Sequence, residues 1–205
     1  MGVPAETSEG ARARRLADRR AELLEAALRV IRREGDGVAM EAIAAEAGIS
    51  RPILYRHFGD ASGLYSAVAR RFNDQLTARL LQTDGTGSGR SLLHRQVVTF
   101  LSVVAEDPTV YRFLVRSAPA RDRSRALRSD VSRLVAARTA GFLVGSGWER
   151  PAAVVAADLL VGGLEATADR WLDEPVGSHE EVAELVTTLA WSGFRELAQR
   201  AADSE

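Results

Sequence analysis

The residues best equipped for chemistry in this chain sit together: Ser50, Arg51, Pro52, Ile53, Tyr55, Arg56 and His57. Their chemistry is hydrogen bonding rather than bond making. The chain has no Cys to serve as nucleophile or thiolate ligand. Its three His residues, His57, His94 and His179, form no recognisable metal pair, and no Gly-x-Ser-x-Gly elbow occurs. The expectation is therefore no catalytic residue, no metal and no cofactor. An Arg, in contrast, can donate to both O6 and N7 of guanine. Tyr, Ser and His can bond phosphate oxygens and fix a register. Ile53 can offer only apolar contact, for which a thymine methyl is suited.

A helix must present these groups. At about 100° per residue, Leu54 and Phe58 share one narrow stripe. Arg51, Pro52, Tyr55 and Arg56 crowd a neighbouring arc. A helix built only to pack would bury more of its circumference, whereas this pattern suits a recognition helix in a DNA major groove. Just upstream, Met40, Ile43, Ala44 and Ala47 fall on one face of a short first helix. Gly48 is placed to end that helix in the left-handed conformation. Ser50 is placed to cap the second, and Pro52 is tolerated where first-turn amides have no intrahelical partner.

Residues Met40 to Ser50 and Leu54 to Phe58, followed by Leu64, resemble the tetracycline-repressor (TetR) family of bacterial transcription regulators. The resemblance covers roughly residues 15 to 70, and the later helices match in number and order. It implies a homodimer that binds a near-palindromic double-stranded DNA operator, most often as a repressor, and that answers to a small-molecule effector. The chain departs from the family pattern at Ala39, where a capping Thr or Ser is common, and at Ile53, where Thr is common. It also departs at Ala61, where a phosphate-touching Lys is common.

Composition sets wider bounds. The 205 residues can bury a real core, and the net charge of −1 excludes a uniformly basic nucleic-acid binder. Charge is local instead: Arg12, Arg14, Arg15, Arg19 and Arg20 face only Asp18 between positions 11 and 20. Arg12, Arg14 and Arg15 are candidates to lie along phosphates. The absence of Cys fits a cytoplasmic protein, no signal peptide is expected, and aliphatic runs such as Ala152 to Ala157 are too short to span a membrane.

The chain reads as all-α, with about nine helices. Residues 1–10 are expected to be a disordered tail, 11–60 the helix-turn-helix DNA-binding domain, and 61–205 an effector-binding and dimerisation domain. Of the helices, the one from Asp60 to Leu81 alone is expected to join head and body. Family likeness suggests a body cavity near Phe72, Leu76, Phe100, Val104, Tyr111, Leu114, Leu134 and Phe142, with Arg116 and Arg138 available to an acidic group. An apolar or amphipathic effector is implied, a fatty acyl thioester being one candidate. The last two helices carry wide apolar faces, and Leu164, Trp171, Leu185, Leu189 and Phe194 are the expected dimer contacts. An enzyme and a helical interaction protein that has lost DNA binding are the weaker alternatives.

Overall fold

The computed structural model describes residues 8–35, 37–82, 88–116, 135–137, 139–145 and 147–202. Among these, every regular element is a helix. The order is α1 (Ser8–Glu34), α2 (Met40–Glu46), α3 (Arg51–Phe58), α4 (Ala61–Gln82), α5 (Gly89–Glu106) and α6 (Pro108–Arg116). Next comes α7, described over residues 135–137 and 139–145. The chain closes with α8 (Arg150–Asp173) and α9 (His179–Ala202). Helix α1 starts at Ser8, three residues before the expected Ala11.

Among the described residues there are three apolar cores. A small one joins Ala140 and Leu143 of α7 to Ala153 and Ala157 of α8. The two larger ones, of head and body, share their helices. The head core gathers Leu23, Ala27 and Val30 of α1, Met40, Ile43 and Ala44 of α2, Leu54 and Phe58 of α3, and Leu64 and Ala67 of α4. The body core takes Leu28 and Ile31 of α1 and Val68, Phe72 and Leu76 of α4, with residues of α5, α6, α8 and α9. The expectation that α4 alone joins head to body needs correcting, because α1 enters both cores. Arg32 of α1 also donates to Asp107 at the α5–α6 junction, at 2.7 Å. A 27-residue helix is about 40 Å long, enough to reach both cores.

Local chemistry sets the motif corner. Gly48 has φ 64°, and its amide and that of Ile49 close back on Ala45 and Ala44 at 3.1 and 3.0 Å. These bonds satisfy carbonyls that the end of α2 would otherwise strand. Ser50 holds the extended N-cap conformation, but its hydroxyl makes no capping hydrogen bond. The expected cap is absent, and Ala39 likewise offers none to α2. At the other end of α2, Glu46 ties the helix to α1, accepting from Arg29 at 2.8 Å and Arg33 at 3.1 Å. These bonds, Arg29 first, hold its carboxyl below the usual carboxylate range.

The step from α3 to α4 is tighter still. Asp60 Oδ1 accepts from the Gly63 amide at 2.7 Å and so caps α4. A Cβ at Gly63 would lie 1.7 Å from the Phe58 carbonyl oxygen. Gly63→Ala should therefore destabilise the protein by about 1–3 kcal/mol, the usual cost of overpacking. Urea unfolding checks this, and an unchanged midpoint would show that the corner relaxes freely.

Candidate nucleic-acid interface and body cavity

Helix α3 is anchored by Leu54 and Phe58, and Tyr55 packs in part against the same head core. Leu54 is fully buried and Phe58 nearly so, while Arg51, Pro52 and Arg56 are exposed and Ile53, Tyr55 and His57 are half-buried. The polar groups thus form an outward face seated on an apolar anchor. Arg51 and Tyr55, one turn apart, are joined: Arg51 Nε and Nη2 donate to the Tyr55 hydroxyl at 3.2 and 2.9 Å, with the guanidinium 5.2 Å from the ring centre. Arg51 also pairs with Glu41 of α2, a residue that sequence reasoning missed. The available signal was that Glu41 is a charged position within the otherwise apolar run Ala39 to Ala45.

Helix α1 adds a cationic extension. From Arg12 to Glu22 every residue is exposed, so this half of the helix lies outside both cores. Arg12 and Arg19 nevertheless follow the same helical face as the buried Leu23 and Val30. Their side therefore continues the face that α1 turns toward the head. Arg20 fixes that orientation, its guanidinium lying 5.3 Å from the centre of the Phe58 ring. Arg15 is exposed on a flanking arc, and Arg14 is exposed on the opposite side of the helix.

The body holds a partly open cavity of about 270 Å³. Its wall includes Leu76, Thr77 and Leu80 of α4, Phe100 of α5, Phe142 of α7, and Leu164 and Glu165 of α8. Of the expected effector residues, Leu76, Phe100 and Phe142 line it. Phe72, Val104, Tyr111 and Leu114 are packed into the body core instead, where the rings of Phe72 and Tyr111 meet at a tilt of 48° with centres 5.9 Å apart. Arg116 faces away, donating to both oxygens of Asp173 at 2.5 Å. Leu134 and Arg138 lie outside the described residues. Sequence reading missed Gln96, Trp191 and Phe194 as wall residues. A Cβ at Gly89 would come within 2.8 Å of Trp191 and 3.2 Å of Phe142, so that glycine keeps the wall open.

The expected dimer residues divide in the same way. Leu185 and Leu189 are exposed, at 60% and 67%, beside Val155 and Leu159 at 68% and 75%. Leu164 and Phe194 turn to the cavity. Trp171 packs on the body core and donates to the Gly177 carbonyl at 3.1 Å.

Comparison with known proteins agrees with this architecture. Residues 23–68 match the family described as bacterial regulatory proteins, tetR family, and residues 90–193 match the tetracyclin repressor-like C-terminal domain. The chain belongs to the TetR family. This TetR-family regulator is 31% identical to the HTH-type transcriptional activator FasR of Mycolicibacterium smegmatis, over 86% of its own length and 83% of that protein. It is 28% identical to an uncharacterized HTH-type transcriptional regulator of Mycobacterium tuberculosis, over 86% of its length and 77% of the relative. A TetR-family regulator from Streptomyces coelicolor superposes with a TM-score of 0.73 at 25% identity, covering 100% of this chain and 91% of that one. A TetR-like regulator from a Rhodococcus species gives 0.68 at 30% identity, covering 86% and 96%. The chain is thus a DNA-binding transcriptional regulator, and the two matched segments correspond to its head and body.

For this TetR-family protein the α1 extension makes a measurable prediction. Removing residues 1–15 takes away Arg12, Arg14 and Arg15 but leaves Leu23 to Ile31 in their cores. Operator binding should weaken, and its log–log salt slope should flatten by about 0.9 for each phosphate that is no longer neutralised. An unchanged slope in a protein of unchanged helicity would show that the extension stays in solvent.

Proposed function

We propose that this protein is a ligand-responsive regulator, acting in the cytoplasm, that binds a near-palindromic operator as a homodimer and releases it when an amphipathic small molecule fills the body cavity. Ser50 to His57 would meet the major groove, and Arg12, Arg14 and Arg15 the flanking phosphates. The observation that carries the reading is the sharing of α4. Its Leu64 and Ala67 belong to the head core, and its Leu76, Thr77 and Leu80 line the cavity. A molecule pressing on Leu76 displaces the same rigid helix that supports α3. Two heads must reach major grooves about one DNA turn apart, so a small tilt misaligns both. The effector can shift the equilibrium only by its differential affinity for the two head arrangements.

The exposed apolar stripe of α8 and α9 supports pairing of two copies. By length and composition α8 could cross a membrane, but Asp158, Glu165 and Asp169 interrupt it. Two helices contributed by each subunit would cover Val155, Leu159, Leu185 and Leu189 at once. The cavity wall carries Thr77, Gln96, Thr139 and Glu165 among apolar side chains, which suits an effector with a hydrogen-bonding head and an apolar body.

Repression follows if the operator overlaps a promoter. Activation is the second reading, favoured by the relative named as an activator. Gel shift on the DNA upstream of its own gene, followed by transcript levels in a deletion strain, tests binding and decides the sign.

Leu189→Glu places a charge on an exposed position and should leave the fold intact. Sedimentation should show monomers, with operator affinity reduced at least about tenfold, or 1.4 kcal/mol. A wild type that sediments as a monomer at micromolar concentration would overturn the dimer. Leu76→Trp fills the cavity and should make DNA affinity insensitive to a screened amphipathic ligand while dimers persist. A mutant that answers the ligand as the wild type does would place the switch elsewhere.

A further inference from the structure

The recognition arginine is already engaged in the protein without DNA. Glu41 of α2 pairs with Arg51 Nη1, while Tyr55 takes Nε and Nη2 through its hydroxyl and covers the guanidinium with its ring. Stability does not require this arrangement. Both charged side chains are more than half exposed, at 59% for Glu41 and 53% for Arg51, and such pairs contribute little. Met40, Ile43 and Ala44 seat α2 in the head core, and Glu41 stands outside it. Arg51 is the first residue of α3, and the N-terminal end of a recognition helix is the part that reaches base edges. A carboxylate held there opposes the phosphates that attract every other charge on this face.

We propose that Glu41 is a specificity-determining residue of the head. The proposal rests on the reading of Arg51 as a base reader. On arbitrary DNA, Arg51 can reach a phosphate only by leaving Glu41, whose carboxylate then faces the DNA unpaired. On a G·C pair, or two adjacent ones, both groups are satisfied. Arg51 donates to guanine O6 and N7, and Glu41 accepts from a cytosine N4 amino group. The pair therefore penalises non-specific contact more than specific contact, and it selects against steps that lack the cytosine donor. Tyr55 keeps the guanidinium extended between the two states.

The test uses full-length wild type, Glu41→Gln, Arg51→Ala and the double variant. Each selects from a randomised duplex library, and each is titrated with a scrambled duplex over a range of salt. With Glu41→Gln, scrambled-DNA affinity should rise about threefold to tenfold, and the salt slope should steepen by about 0.9 as Arg51 turns to a phosphate. Preference for one G·C position per half-site should fall about tenfold. Glu41→Asp should restore part of that preference. Arg51→Ala should relax the same position, and Glu41→Gln should add nothing to it. If Arg51→Ala leaves the selected sequence unchanged, the base-reader reading fails and this proposal fails with it. If Arg51→Ala relaxes the position but Glu41→Gln does not, or if Glu41→Gln shifts specific and scrambled affinities equally, the role of Glu41 alone is overturned.

Discussion

One helix cannot bend sharply without losing backbone hydrogen bonds, and that constraint organises this molecule. Helix α4 buries Leu64 and Ala67 in one core and Val68, Phe72 and Leu76 in the next, with no break between them. The head is therefore not a bead on a linker. In the proposed switch, a change in how the body packs around Phe72 and Leu76 is carried along the helix to Leu64, and from there to Phe58. The close approach of Gly63 to the Phe58 carbonyl leaves no slack at that junction. Helix α1 works as a second strut, with Val30 and Ile31 one residue apart yet in different cores.

The recognition helix is built on the opposite principle. Leu54 and Phe58 hold it, and its remaining circumference is surrendered to polar contact. Eight residues would not make a stable helix in water alone. The Gly48 turn on one side and the Asp60 cap on the other supply order that helix propensity does not. In the role proposed for it, Glu41 works against the general electrostatics of the face. A head made only of Arg would gain affinity for all DNA, and a local carboxylate trades some of that for discrimination.

The body divides its apolar surface into three uses. Phe72, Val104, Tyr111 and Leu114 form packed core. Leu76, Phe100, Phe142, Trp191 and Phe194 leave a cavity because large rings meet around the small Gly89. Leu159, Leu185 and Leu189 remain outside. Identical residue types serve all three, so composition does not separate them.

The sequence by itself determined the all-α class, the helix order, the turn at Gly48 and the two anchors of α3. Each rests on local rules: a period of 3.6 residues, a glycine where φ is positive, and apolar residues one turn apart. Only the tertiary structure decided which apolar residues line the cavity, because facing helices distant in sequence must be placed before a gap exists. It alone showed that Ser50 makes no cap bond, that α1 reaches both cores, and that Arg116 turns to Asp173. The pairing of Glu41 with Arg51 belongs to the same group. They stand ten positions apart in the chain, and it is the angle between α2 and α3, set by the head core, that brings a carboxylate onto Arg51.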